Sequence, residues 1–198
     1  MIKEPASNEV AGEKVLSPQK LAHVVLRSSD KESMTRFYET FLGGRIVFTN
    51  EALSFITYDE EHHRIAILQV PGTEPKNKKS CGLEHIAFTY PTLKDLFIAY
   101  RQRKAHKILP IWSVNHGATT SIYYRDPDGN MLETQVDNFD TNEKTNNFAL
   151  SGYFAENPVG TDIDPEDMMR RLENGESEEV LKRRVEIGPR SVPDLDEM

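Results

Sequence analysis

Apolar residues recur along the chain in an order that appears twice. The first copy opens with LAHVVL at residues 21–26, a β-branched run that is typical of a short strand. Five apolar residues then follow at helical spacing: Met34, Phe37, Tyr38, Phe41 and Leu42. This stripe predicts a helix that begins at Ser29, with Glu32 completing a capping box, and ends at Gly43-Gly44.

Three strands complete the first copy, and the second copy repeats the order. The segments RIVFT, LSFITY and HRIAILQV lie between residues 45 and 70 and have strand composition. The second copy opens with LEHIAFTY at residues 83–90, followed by a helix that has Thr92 and Asp95 near its start. Its predicted strands are HKILPIW, TTSIYYR and NMLETQVD, and DPDGN at residues 126–130 predicts a hairpin turn between the last two.

The chain is therefore predicted to be an α+β protein with the order βαβββ–βαβββ, a duplication of about 60 residues per unit. We expect a mobile N-terminal arm over residues 1–18 and a domain over 19–140, with modules at 19–80 and 81–140. The composition changes after residue 140, where an acidic, partly helical extension is expected over 141–198. Its helices are predicted near Pro165–Asn174 and Glu178–Arg184.

Composition narrows the class of protein. Of the 198 residues, 37% are hydrophobic and 28% are charged, and the net charge of -8 argues against a nucleic-acid partner. Cys81 is the single cysteine, so an internal disulfide is excluded and a reducing compartment is expected. The N-terminal residues lack an apolar run, which indicates neither a secretory signal nor a membrane span. We expect a soluble cytoplasmic protein with no membrane partner.

Three polar residues stand among apolar neighbours in predicted strands. His23 and His85 occupy matching places in the two copies, 62 residues apart, and Glu133 lies in the last strand. Strand periodicity predicts each of them near the middle of a strand, on a face with apolar residues, where burial without a partner is costly. Any one of them alone is more often structural, but together they match a two-histidine, one-carboxylate metal set that suits Fe(II).

These segments resemble the vicinal oxygen chelate superfamily (glyoxalase, bleomycin resistance protein and dioxygenase), and within it the single-domain type I extradiol ring-cleaving dioxygenases. The resemblance spans residues 21–137 and rests on LAHVVL, HHRIAI, LEHIAF and NHGATTSIYYRDPDGNMLE. It implies paired βαβββ modules that form a cupped mixed sheet. It also implies that Fe(II), or in its place Mn(II) or Zn(II), is bound by His23, His85 and Glu133.

The resemblance also implies roles for the remaining histidines. His63, the second of a pair, matches the family's acid–base catalyst, and His62 is expected to be an exposed turn residue. His116 and Tyr123 resemble pocket residues that bind the substrate oxygens, whereas His106 is expected at the surface. The implied partners are a small aromatic diol of the catechol type and O2, and a homodimer is expected.

Other members of the same superfamily remain alternatives. Superposing the two copies places Ile67 opposite Glu133, where lyases and isomerases of the glyoxalase type have a fourth protein ligand. Three protein ligands favour the dioxygenase over a Zn(II)-, Mn(II)- or Mg(II)-dependent lyase, isomerase or thiol transferase. A small-molecule-binding protein of the same fold, or an oxygenase acting on an unusual phenol, is a further alternative.

Overall fold

The first module forms a four-stranded sheet covered by one helix. A computed structural model describes residues 15–77 and 79–195, so most of the predicted N-terminal arm lies outside the described residues. The elements are β1 (Val24–Ser28), α1 (Lys31–Leu42), β2 (Arg45–Thr49), β3 (Leu53–Thr57) and β4 (Ile65–Gln69). The strand order is β1-β4-β3-β2, with β1 parallel to β4 and the other neighbours antiparallel.

The second module repeats this arrangement in a separate sheet. Its elements are β5 (His85–Thr89), α2 (Leu93–Ala105), β6 (Trp112–Asn115), β7 (Thr119–Arg125) and β8 (Met131–Asp137). The order is β5-β8-β7-β6, and β5 is parallel to β8 as β1 is to β4. The predicted α+β class with paired βαβββ modules is confirmed.

Two details of the predicted elements are wrong. Helix α1 begins at Lys31, because Asp30 and not Ser29 caps it, accepting a hydrogen bond from the Ser33 amide at 3.0 Å. The segment HKILPIW is not a strand, since β6 begins only at Trp112. Pro110 has no amide hydrogen to donate to a ladder, which explains why the strand starts after it.

Both sheets share one hydrophobic core that contains helices α1 and α2. The Phe41 ring of α1 lies 5.2 Å from Tyr124 and 6.2 Å from Phe88, both in the second sheet. Tyr58, at the end of β3, also reaches Phe88 at 6.0 Å. We call the sheet faces that line this core the inner faces. The opposite face of each sheet is called its outer face.

The C-terminal extension packs on the second module. Its elements are α3 (Asn142–Ala149), α4 (Gly152–Glu156), β9 (Thr161–Asp162), α5 (Pro165–Glu173) and α6 (Glu178–Leu181). Strand β9 adds a fifth strand next to β6, and α5 contacts α2. The helices α5 and α6 match the two predicted ones, while α3 and α4 were not predicted. In the part of the chain that the structure describes, no helix is both long and apolar enough to cross a membrane.

Asp126 joins helix α1 to the predicted hairpin turn. Its carboxylate accepts hydrogen bonds from the Tyr38 hydroxyl at 3.0 Å and from the backbone amides of Asp128 and Asn130. The residue is only 5% exposed, and burial raises the pKa of its carboxyl group. Removing it would leave the Tyr38 hydroxyl buried without this acceptor.

We expect Asp126→Ala to lower the free energy of unfolding by about 2 kcal/mol, because several buried donors lose their acceptor. Urea denaturation followed by circular dichroism measures the change. The matched control is Asp140→Ala, at an exposed carboxylate, which should change stability by no more than about 0.5 kcal/mol. Equal effects of the two substitutions would contradict the structural role of Asp126.

Candidate active site

Three imidazoles gather on the outer face of the first sheet. His23 directly precedes β1, and His62 and His63 lie in the loop before β4. The His63 ring lies 4.2 Å from the His23 ring and stacks on Phe55 at 4.1 Å with an interplanar angle of 7°. One nitrogen from each of the three histidines lies within 4.8 Å of the others, so the group could hold a metal ion.

His63, rather than His62, is the packed member of the pair. His63 is 7% exposed, whereas the side chain of His62 is 67% exposed. Burial lowers the pKa of His63, and the nearby imidazoles of His23 and His62 lower it further. His63 is therefore neutral at pH 7, with one ring nitrogen able to accept a proton.

A second group lies on the outer face of the second sheet. His85 is the first residue of β5, and its Nε2 lies 3.0 Å from an Oε of Glu133 on the neighbouring strand β8. Burial alone would raise the pKa of Glu133, but hydrogen bonds from His85 and Ser121 outweigh it and lower the pKa. The same contact with Glu133 raises the pKa of His85. The pair is a carboxylate and an imidazole held side by side.

Tyr123 and His116 stand next to this pair. Tyr123 is paired with Glu133 across β7 and β8, and its hydroxyl lies 3.0 Å from His116 Nε2. The Nδ1 atom of His116 lies 2.5 Å from the Val159 carbonyl oxygen. Because a carbonyl oxygen can only accept, the hydrogen of His116 is on Nδ1, and Nε2 accepts from Tyr123. Burial and the nearby carboxylate of Glu133 raise the pKa of Tyr123, so its hydroxyl keeps its proton.

The C-terminal extension holds His116 in place. Besides Val159, it supplies Arg184, whose nearly buried guanidinium donates to the backbone carbonyls of His116 and Asn157. Asp162 of β9 accepts from the indole nitrogen of Trp112, and the Trp112 ring stacks on Tyr123 at 5.1 Å. Sequence reasoning missed Val159 and Arg184, because nothing in the composition of the tail shows which strand it pairs with.

The structure places the predicted ligands in two groups within one chain. His85 and Glu133 lie together, whereas His23 lies with His62 and His63 on the other sheet. His23 and His85 were predicted near the middle of strands, but His23 precedes β1 and His85 begins β5. His23 is also exposed rather than buried.

Strand register corrects the predicted superposition of the two copies. Val25 pairs with Ala66 on β4, just as Ala87 pairs with Glu133 on β8. Ala66 therefore corresponds to Glu133, and Ile67 points into the core. The conclusion about ligands is unchanged, because alanine, like isoleucine, cannot bind a metal. Alternation along β7 places Tyr124 in the core and turns Tyr123 to the outer face.

A large cleft lies away from both groups. It has a volume of about 1130 Å³ and runs between the end of β8 and the extension, where Phe139, Phe148 and Arg184 line it. None of the six predicted site residues lines it. No histidine lines this cleft, so the proton-transfer and metal-binding side chains lie in the two groups outside it. His106, predicted at the surface, is exposed at the end of α2.

Comparison with known proteins identifies the family and two similar curated proteins. The family model described as Glyoxalase/Bleomycin resistance protein/Dioxygenase superfamily matches residues 20–134. The chain is 44% identical over 147 residues to "Biphenyl-2,3-diol 1,2-dioxygenase 2" of Rhodococcus globerulus, covering 74% of this chain and 77% of that protein. It is 40% identical over 168 residues to "Biphenyl-2,3-diol 1,2-dioxygenase 3" of the same organism, covering 84% and 88%.

A solved structure supports the fold alone. It is a glyoxylase/bleomycin resistance protein/dioxygenase domain from Frankia sp. EAN1pec, with a TM-score of 0.52 and 18% identity, covering 61% of this chain and 99% of that one. The two Rhodococcus relatives are dioxygenases by name, which is the enzyme class predicted from the motifs. The chain belongs to the Glyoxalase/Bleomycin resistance protein/Dioxygenase superfamily, the vicinal oxygen chelate group that its sequence resembles.

Proposed function

We propose that this protein is an Fe(II)-dependent extradiol dioxygenase that opens a catechol-type ring with O2. The observation that carries the proposal is the contact between the partly exposed His85 and the buried Glu133, with Tyr123 and His116 beside it. The names of the two Rhodococcus relatives support a diol substrate whose ring carries adjacent hydroxyl groups.

The donor set fits a ferrous ion. His85 and Glu133 offer one imidazole nitrogen and one carboxylate oxygen from adjacent strands, and His23 is proposed as the third ligand. Two imidazoles and one carboxylate suit Fe(II), although Mn(II) or Zn(II) would accept the same donors. When bound, such an ion would polarise the diol oxygens, lower the pKa of their hydroxyl groups and leave positions open for O2.

His63 is proposed to move the substrate proton. Its neutral ring can accept a proton from a diol hydroxyl and return it later in the reaction. Stacking between His23 and Phe55 holds the ring in one orientation, so that its reacting nitrogen is positioned before the substrate arrives. The exposed His62 lacks this packing.

Tyr123 and His116 are proposed to orient the substrate oxygens. Because the pKa of Tyr123 is raised, its hydroxyl can donate to a negatively charged oxygen at neutral pH. The Nδ1 contact of His116 with Val159 keeps its Nε2 an acceptor for the Tyr123 hydroxyl, which holds that hydroxyl in position. The extension therefore sets the tautomer of His116 in the site.

The whole proposal is tested by anaerobic reconstitution with Fe(II), followed by a panel of diols that includes biphenyl-2,3-diol. We expect O2 uptake and a coloured ring-fission product in equal amounts. Isomerase or lyase activity with Zn(II), or tight binding of the diol without O2 uptake, would contradict it.

His63→Ala should bind iron as the wild type does but lose roughly 10²- to 10⁴-fold in kcat, because the acid–base group is lost while the proposed ligands remain. Iron content is measured by elemental analysis and turnover by O2 uptake. The matched control, His106→Ala, at an exposed histidine at the end of α2, should keep both near wild-type values. Normal turnover by His63→Ala would refute the role assigned to this residue.

Tyr123→Phe should lower kcat roughly 10²-fold with little change in iron content, because one donor to a charged oxygen disappears. Steady-state kinetics with a single diol measure the effect. Tyr153→Phe, at a tyrosine that is 61% exposed, is the matched control and should leave kcat unchanged. If both variants behave alike, Tyr123 has no part in the reaction.

A further inference from the structure

We infer that Phe148 of helix α3 is a positioning residue for the reaction. Its ring lies against Gly117, and this contact fixes the turn between β6 and β7 that carries His116. Phe148 would act on the reaction through His116, which holds the Tyr123 hydroxyl, and not by touching the substrate. The inference rests on the proposed function for the role of His116, whereas the contact itself is independent of which reaction is catalysed.

The Phe148 ring occupies the space that a side chain at residue 117 would need. A Cβ atom built on Gly117 would collide with the ring carbons Cζ and Cε1 of Phe148. Gly117 also has a φ of 91°, in the left-handed region that favours glycine. The ring therefore lies directly against the backbone of the turn, where a larger residue at position 117 would keep it away.

The backbone of the extension also lies against this turn. A Cβ atom built on Gly160 would collide with the Asn115 carbonyl oxygen and with the Cα atom of His116. The residue before Gly160 is Val159, whose carbonyl oxygen accepts the Nδ1 hydrogen of His116. His116 therefore keeps this hydrogen bond only if the turn stays in its place against the extension.

Three further side chains hold the Phe148 ring. The Arg184 guanidinium lies over the ring at 5.1 Å and also donates to the His116 carbonyl oxygen at 3.3 Å. The rings of Phe139 and Phe154 lie 5.7 Å and 5.9 Å from it. Because the nearly buried Arg184 contacts both the ring and the turn, it fixes the position of the ring relative to His116.

Helix α3 gains little burial from its place on the second module. Phe148 is half-buried, and no residue of this helix is fully buried. Removing the ring should therefore leave the core and both sheets intact. We expect its loss to loosen the turn, which weakens the contact of His116 with Val159 and then the acceptor for the Tyr123 hydroxyl.

A double-mutant cycle separates positioning from general packing, with kcat measured by O2 uptake on a single diol. Phe148→Ala should lower kcat roughly 10-fold, because a small displacement of a substrate-orienting group is costly. In the His116→Ala background the same substitution should cause no further loss, since the group that it positions is absent. The matched control is Leu150→Ala, at an 86% exposed residue just after α3, which should leave kcat unchanged in both backgrounds.

Equal losses in the two backgrounds would overturn the inference, because Phe148 would then act independently of His116. Normal turnover by Phe148→Ala or by His116→Ala would overturn it as well. Phe148→Leu is the second variant, and urea denaturation checks that each variant is folded. It keeps apolar bulk without the ring, so it should show a smaller loss in kcat that also disappears in the His116→Ala background.

A second measurement needs no turnover. Protein with nitrogen-labelled histidine and with Zn(II) in place of paramagnetic Fe(II) should show the His116 Nδ1 proton as a slowly exchanging NMR signal, absent from His116→Ala. We expect this proton to exchange faster in Phe148→Ala and to be unchanged in Leu150→Ala. An unchanged signal in Phe148→Ala would overturn the inference. If the wild type takes up no O2 with any diol, the proposed function fails and this signal alone decides whether Phe148 positions His116.

Discussion

Burial of two helices between two sheets is the constraint on which this molecule depends. Each βαβββ module has one apolar sheet face that must be buried. The shared core buries the apolar faces of both modules. Phe41 of α1 reaches across to Tyr124 and Phe88, so neither module is covered only by its own helix. As a consequence, every residue that alternates with a core residue along a strand is turned to an outer face, and this is where the chemistry-bearing side chains lie.

The two outer faces carry different kinds of group. The first presents imidazoles, of which His63 is packed and neutral, while the second presents a buried carboxylate with an imidazole and a tyrosine whose hydroxyl keeps its proton. One face can accept protons, and the other can bind a cation and donate to an anion.

The extension links stability to the site. Strand β9 adds a fifth strand to the second sheet. The nearby Val159 carbonyl oxygen selects the tautomer of His116. Arg184 holds the same loop through backbone carbonyls. Glu178 of the extension also accepts hydrogen bonds from the backbone amides of Leu93 and Lys94 at the start of α2. Through these contacts the C-terminal extension becomes part of the second module.

The sequence by itself determined the duplicated order of strands and helices, because periodicity and turn residues are local properties. It also determined which strands carry His85, Glu133 and Tyr123, because the apolar residues around them mark those strands locally. The sequence did not determine strand register or packing. The predicted superposition placed Ile67 opposite Glu133, whereas the observed register places Ala66 there. No local signal shows which face of a sheet packs on which helix. Only the tertiary structure decided that the two modules bury their inner faces together, because the lowest free energy depends on contacts between residues far apart in the chain.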